Sequence, residues 1–419
     1  MLAILTTHPI QYQVPLWQAL ANDGRVPFEV WYLTSHGVKA SHDSGFGKTF
    51  AWDIDTLSGY PHRFLNVAPG AAPDQFWKCR LVEPLRKRLR ESGATALWIQ
   101  GWQVAAYWQA VREARAAGVK VWLRGESNDL APTAAWKRPI KRTLLRWFFS
   151  HVDEFLYIGT ANKRLYQSYG VPEQQLYPAP YAVDNDRFAN EAAALRPERD
   201  AIRRAWNIPQ DAFCVLFCGK FIPKKRPLDL VAAAQLAAAK LHGRPIHLLF
   251  VGSGELGYEL RKRCRVVYDA ESAANLPAES AAATIANDNR PQASFSGFLN
   301  QHEIARAYVA ADCLVLPSNH QETWGLVVNE ALACGCPCIT SDACGCNEDL
   351  VQLIDPHCSF PSGNLISLAA SIARMSTQIS QPYASRALLQ QHSVDHTVET
   401  VVSLLGVSAC SSEPISVNA

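Results

Sequence analysis

The chain has 419 residues, 48% hydrophobic and 19% charged, with 12 Cys and a net charge of +2. This globular composition has room for two or three domains, and its balance excludes a dedicated nucleic-acid binder. The charge is uneven: residues 1–184 carry 21 Lys+Arg and 15 Asp+Glu (+6), and the remainder 19 and 23 (−4).

LAILTT reads as a buried strand ending at Thr7-His8-Pro9, and VPLWQALAN as a helix with Pro15 in its first turn. The start has no basic n-region, and no apolar run reaches the ~18 residues of a membrane span. A cytoplasmic protein is expected, with the inner membrane face as a second location. VPFEVWYLT is a second strand. The irregular stretch SHGVKASHDSGFGKTFAWDIDTLSGYPHRFL reads as a long functional loop with one short strand. Residues 78–92 read as a basic helix, followed by strand ATALWIQGW, helix VAAYWQAVREARAAG and strand VKVWLRGES. Residues 136–149, WKRPIKRTLLRWFF, mix five cations with bulky apolar residues. They fit either a core helix with a basic outer face or an interfacial helix that touches a membrane. EFLYIGTA and QQLYPAPYAV complete an N-terminal unit, 1–184.

Residues 185–209 are polar and read as a linker. A second unit, 210–384, opens with strand DAFCVLFCGKF, helix PLDLVAAAQLAAAKL and strand IHLLFVGSGELG. ASFSGFLN, DCLVLPS and CPCITSD are later strands. The Ala-rich segment 264–293 reads as a mobile insert, 385–405 as a helix and 406–419 as a disordered tail. Strands alternating with helices predict an α/β fold of two doubly wound, Rossmann-like halves. Ligands of such sheets bind at the carboxyl ends of the strands.

The informative stretch is 317–335, PSNHQETWGLVVNEALACG. It reads as a polar loop after a strand, then a helix ending at Gly335. Glu322 precedes the helix and Glu330 lies about two turns into it. Their spacing of roughly 12 Å is about the reach from ribose to sugar in a nucleotide sugar. The N–H groups of Trp324, Gly325 and Leu326 would open the helix and suit a diphosphate. The alternative is a solvated surface helix with idle glutamates. Glu322-x7-Glu330, with PS before it and ALACGCPCITSD after it, resembles the E-x7-E motif of the family 4 retaining glycosyltransferases.

That resemblance covers most of the chain and implies the GT-B fold, whose last helix often crosses back to the N-terminal domain. It implies Glu322 beside the transferred sugar and Glu330 on the ribose. Gly219-Lys220, followed by Lys224 and Lys225, resembles the family's diphosphate clamp, with Lys220 and Lys225 as the two cations. Fixed cations stabilise a leaving nucleoside diphosphate, so no metal is expected. A solvated basic turn is the alternative. Gly252-Ser253-Gly254-Glu255-Leu256-Gly257 matches G-x-G-x-x-G, but it is not in the first βαβ unit of its half, and no acidic strand end follows. A nucleotide-pocket turn fits it better than a dinucleotide site. Phe298, in FSGFL, resembles the strand end that meets the base. His8, Gln11, Gly101, Trp102, Arg124 and Glu126 should face the cleft, with His8 able to orient an acceptor hydroxyl. A mutual Arg124–Glu126 pair is the alternative. Cys334, Cys336, Cys338, Cys344 and Cys346 lack the usual zinc spacing and read as core residues.

The resulting expectation is a retaining glycosyltransferase. It would move a sugar from a nucleotide-diphosphate donor to a hydroxyl of a glycan, lipid or small molecule. Its rivals are a nucleotide-sugar epimerase of the same fold and a catalytically silent sugar-nucleotide-binding protein.

Overall fold

The computed structural model describes residues 1–419 except 39, 44, 132–137, 242, 272–288, 378–381 and 407–419. The strands are β1 (Leu2–Thr6), β2 (Phe28–Tyr32), β3 (Ser41–Asp43), β4 (Lys48–Phe50), β5 (His62–Phe64), β6 (Ala96–Ile99), β7 (Lys120–Leu123), β8 (Glu154–Tyr157) and β9 (Leu176–Pro178) in the first half. The second half has β10 (Phe213–Cys218), β11 (Ile246–Val251), β12 (Arg265–Asp269), β13 (Gln292–Gly297), β14 (Cys313–Leu316), β15 (Cys338–Ser341) and β16 (Ser359–Phe360). Two seven-stranded sheets result, ordered β5-β2-β1-β6-β7-β8-β9 and β12-β13-β11-β10-β14-β15-β16. All their pairings are parallel.

The central strands are buried on both faces because each face carries helices. In the first half, Leu2, Ile4, Trp17 and Trp98 pack on one side of the sheet, and Ala3, Leu5, Leu97 and Tyr107 on the other. One larger core fills the second half. Each fully buried Leu, Ile or Val contributes about 1.5–3 kcal/mol.

Several elements differ from the sequence-based expectation. The linker 185–209 is built into the second half. Helix Asn185–Leu195 is capped by Asp184, and helix Arg199–Ala205 follows it. Phe188, Ala192, Ile202 and Trp206 enter the core, and Arg199 and Arg203 both reach Asp312. The segment is polar because its outer face carries the charges, not because it is free.

The insert begins later than 264. Arg265–Asp269 is an edge strand paired with β13, since RVVYD has the β-branched and aromatic residues an edge tolerates. Only 272–288 of that insert lie outside the described residues. The basic helix is confined to Leu85–Glu91, with Pro84 at its N-cap. The irregular stretch holds a hairpin of β3 and β4 besides the short strand β5.

The expected C-terminal helix is two helices. Pro382–Gln391 packs on the second half beside helix Val327–Ala333. Ser393 then caps Val394–Leu404. That helix lies on the first half, where Val398, Val401 and Val402 join Trp17 and Leu20, and Thr400 donates to the Pro178 carbonyl at 2.7 Å. The expected tail, from 407 on, lies outside the described residues. The eleven described cysteines are free and buried. Burial raises their thiol pKa values, that of Cys344 to about 12, as suits small core residues.

Candidate functional site

The loops after β1, β6, β7 and β10 meet at one cavity of about 680 Å³. Thr7 and His8 follow β1, Gln100 follows β6, Glu126 follows β7 and Lys220 follows β10. Thr323, next to Glu322, closes it. The two parallel sheets therefore present their carboxyl ends to a common space, where open α/β sheets bind ligands.

On the second-half side, Gly219 has φ +142, a conformation open to glycine, and turns the chain from β10 toward Lys220. The turn Gly252-Ser253-Gly254 packs against it. A Cβ on Gly252 would lie 2.1 Å from the Gly219 carbonyl oxygen, and one on Gly254 would lie 2.8 Å from the Phe221 backbone. The glycine-rich turn thus serves close loop-on-loop packing.

Lys225 forms an ion pair with Glu322, whose carboxylate also accepts from Ser318 at 3.1 Å. Both side chains of that pair are largely buried, at 14% and 10% exposure. Lys224 instead lines a separate outer pocket with Glu255 and Gln321.

Gly325 has φ +106, and a Cβ there would lie 2.6 Å from Leu316. The helix consequently starts late, at Val327–Ala333, and Glu330 sits in its first turn rather than two turns in. The N–H groups of Trp324, Gly325 and Leu326 have no acceptor among the described residues. The Trp324 side chain points away from the cavity. It is buried, donates to Asn329 at 2.8 Å and packs on Gly159, so only its backbone is available to a ligand.

Glu330 is 2% exposed. Tyr308 donates to its Oε2, and Oε1 has no partner among the described residues. Burial raises its carboxyl pKa against the opposing hydroxyls of Tyr308 and Tyr12. Tyr12 comes from the first half.

On the first-half side, the His8 Nδ1 lies 2.9 Å from the Thr7 hydroxyl, and its ring meets His36 edge-on at 5.3 Å. Burial, and then His36, lowers its pKa to about 4, so the ring is neutral at pH 7. Arg124 does not face the cavity. It is buried, with its guanidinium 5.0 Å from the Tyr181 ring centre and bonded to the Ala179 and Pro180 carbonyls. Glu126 does line the cavity, and it accepts from the Tyr181 hydroxyl at 2.9 Å rather than from Arg124.

Two contributors were not legible in the sequence. Asp43, in the hairpin of β3 and β4, bonds Lys220 at 2.8 Å across the halves. Burial raises the Asp43 carboxyl pKa, but Lys220 and the N–H groups of Phe46 and Gly45 outweigh it and hold the group below the usual range. The same hairpin covers Phe298: the Phe50 and Phe46 rings lie 4.4 and 5.1 Å from its ring. The Ser253 hydroxyl donates to the Phe46 carbonyl at 2.8 Å, and the Gln301 and His302 N–H groups donate to Asp53. Asn128 is the second contributor, donating to the Thr323 carbonyl at 3.0 Å. Asp-Ser-Gly and Ser-Asn-Asp are ordinary turn signals, and only their aim across the cleft marks them.

Comparison with solved structures defines the class of fold. A glycosyltransferase from Rickettsia africae superposes with a TM-score of 0.65 over 98% of this chain and 99% of its own, at 12% identity. HepE from Anabaena, solved in complex with UDP, gives 0.61 over 97% and 99%, at 14% identity. Two facing parallel α/β sheets of this kind are the GT-B fold. Residues 12–182 match the glycosyl transferase 4-like domain, and residues 198–381 match the glycosyl transferases group 1 model. The chain belongs to the family 4 glycosyltransferases. A D-inositol 3-phosphate glycosyltransferase from Thermomonospora curvata is 30% identical over 179 residues, 43% of this chain and 38% of that protein. The chain thus spans well under half the length of that curated relative.

Proposed function

We propose that this chain is a retaining glycosyltransferase that moves a sugar from a nucleoside-diphosphate sugar to a hydroxyl acceptor. Three observations support the reading: Lys220 lines the cavity, Glu322 pairs with Lys225 next to the cavity residue Thr323, and the N–H groups of 324–326 have no acceptor among the described residues. A leaving diphosphate gains charge in the transition state, and two fixed ammonium groups with unpaired amides stabilise it without a metal. The buried carboxylate of Glu330, held beside the Tyr308 and Tyr12 hydroxyls, suits a ribose hydroxyl as a further donor. Glu322 is engaged by Lys225 and Ser318, which suits positioning the sugar more than attacking it. UDP is the first nucleotide to try, because the HepE structure was solved with it.

The reading places the N-terminal half on the acceptor side. It also allows peripheral membrane contact there. Ile140, Leu144 and Trp147 are exposed beside Lys141, Arg142 and Arg146 on helix Arg138–Phe149, while Leu145, Phe148 and Phe149 are buried. No helix among the described residues is long and apolar enough to cross a membrane. Co-sedimentation with anionic vesicles, with and without Trp147→Ala and Leu144→Ser, tests the contact.

The test of the activity is donor turnover. Thermal shift against UDP, GDP, ADP and their sugars identifies the donor. Slow donor hydrolysis without acceptor should then be detectable, should survive EDTA, and should fall ~10²-fold or more in Lys220→Ala and Lys225→Ala. Donor binding without turnover would indicate a silent binder. Interconversion of the donor sugar without acceptor would indicate an epimerase.

A further inference from the structure

The acceptor side of the cavity carries chemistry that the donor does not use. Gln100 and Tyr107 line it and are 8% and 0% exposed. The Gln100 Nε2 has no hydrogen-bond partner among the described residues, while the Tyr107 hydroxyl lies beside those of Thr6 and Thr7. Buried polar atoms without partners are rare, and this one belongs to a side chain that faces a cavity. Three carboxylates also line it: Asp43, Asp74 and Glu126. Glu126 has one oxygen on Tyr181, and no described residue donates to the other. The one ammonium group among the described lining residues is Lys220, and Asp43 already holds it. His8 adds no charge at neutral pH.

We infer that the acceptor is a polyhydroxylated molecule bearing an amine and no phosphate or carboxylate. This rests on the glycosyltransferase reading and narrows its substrate class. A hydroxyl both donates and accepts, so a hydroxyl-bearing ring supplies the acceptor that the Gln100 amide lacks. An ammonium group adds a charge-assisted bond to Glu126. A phosphate would meet Glu126 and Asp74 with no arginine or free lysine among the described lining residues, and like charges brought together disfavour binding. This sets the chain apart in acceptor chemistry from relatives named for inositol 3-phosphate.

The experiment uses the full chain with its donor site filled by saturating UDP, or by GDP or ADP if that is the nucleotide that binds. Two probes are titrated calorimetrically, 2-deoxystreptamine and D-inositol 3-phosphate. The amine-bearing probe should bind at least about tenfold tighter, the scale of one charge-assisted hydrogen bond. Glu126→Gln should remove that preference while nucleotide affinity, which also reports folding, stays the same. Gln100→Leu should weaken both probes. Tighter binding of the phosphorylated probe, binding of neither, or an unchanged preference in Glu126→Gln would overturn the inference. Failure of every nucleotide to bind would instead overturn the donor reading on which it rests.

Discussion

The ion pair between Asp43 and Lys220 yields a prediction whose sign is informative. The hairpin of β3 and β4 brings a carboxylate to the ammonium group that would otherwise meet a diphosphate, 2.8 Å away. Donor and Asp43 then compete for one cation. Asp43→Asn removes the competitor and keeps the side-chain shape, including an oxygen for the Gly45 and Phe46 N–H groups. Both members of the pair are about one-third exposed, so solvent screens it. A pair of this kind is worth about 0.2–1 kcal/mol. With tenfold per 1.4 kcal/mol, the variant should bind nucleoside diphosphate ~1.4- to 5-fold tighter. Isothermal titration at low salt measures it, and the difference should shrink at 0.5 M NaCl as screening grows. Melting temperature should change little. A clearly weaker nucleotide affinity in Asp43→Asn would refute the competition. The hairpin would then be part of the donor site.

Three further outcomes are expected. Glu330→Gln should raise KM for the donor with kcat nearly unchanged, because ribose contacts are equal in ground and transition states, whereas Glu322→Gln should mainly lower kcat. Steady-state kinetics with donor varied separates them, and equal losses of nucleotide affinity in both variants would remove Glu322 from the sugar. Gly159→Val should destabilise the chain by at least ~1–3 kcal/mol, since a Cβ there would lie 2.3 Å from the Trp324 ring and 2.7 Å from Asp349; an unchanged urea midpoint would show that the two halves separate easily at this point. Stability should depend on His8 below neutral pH. Its folded pKa of about 4 lies below the unfolded 6.5, so the unfolded chain binds more protons between these values and stability falls as pH drops through that window. Between pH 6.5 and 5 the loss is about 2 kcal/mol at most. Because burial raises the Glu330 and Asp349 pKa values, which works in the opposite direction, the check is the difference between wild type and His8→Asn in urea melts at pH 7 and pH 5. A wild-type slope equal to that of the variant would mean that His8 is already solvated.

Much of the fold was legible from local pattern. Runs such as LAILT, FCVLFC and CLVL are apolar throughout, and only a strand covered on both faces needs that. The sequence places Lys220 just after the run FCVLFC and Glu322 in the loop after CLVL, and the structure keeps them at those strand ends. Local pattern misled where one face of an element decides its role. Phe188 and Trp206 lie in a polar stretch, yet they anchor it to the core. Gly325 looked like an ordinary helix opening, and its left-handed backbone against Leu316 delays the helix by one turn.

The sequence by itself determined the order of the apolar core strands with the helices between them, and the residue types offered at their ends, because both follow from spacing along a few residues. Which of those residues meet was decided only by the tertiary structure. Asp43 and Lys220 are 177 positions apart, and Asn128 and Thr323 are 195 apart. Nothing local to either partner encodes such a contact. It depends on how one sheet's loops seat against the other's, set by close approaches such as Gly159 under Trp324 and Gly254 beside the hairpin. The same seating gives Lys220 a carboxylate partner, whereas contacts within the first half turn Arg124 inward onto the Ala179 and Pro180 carbonyls.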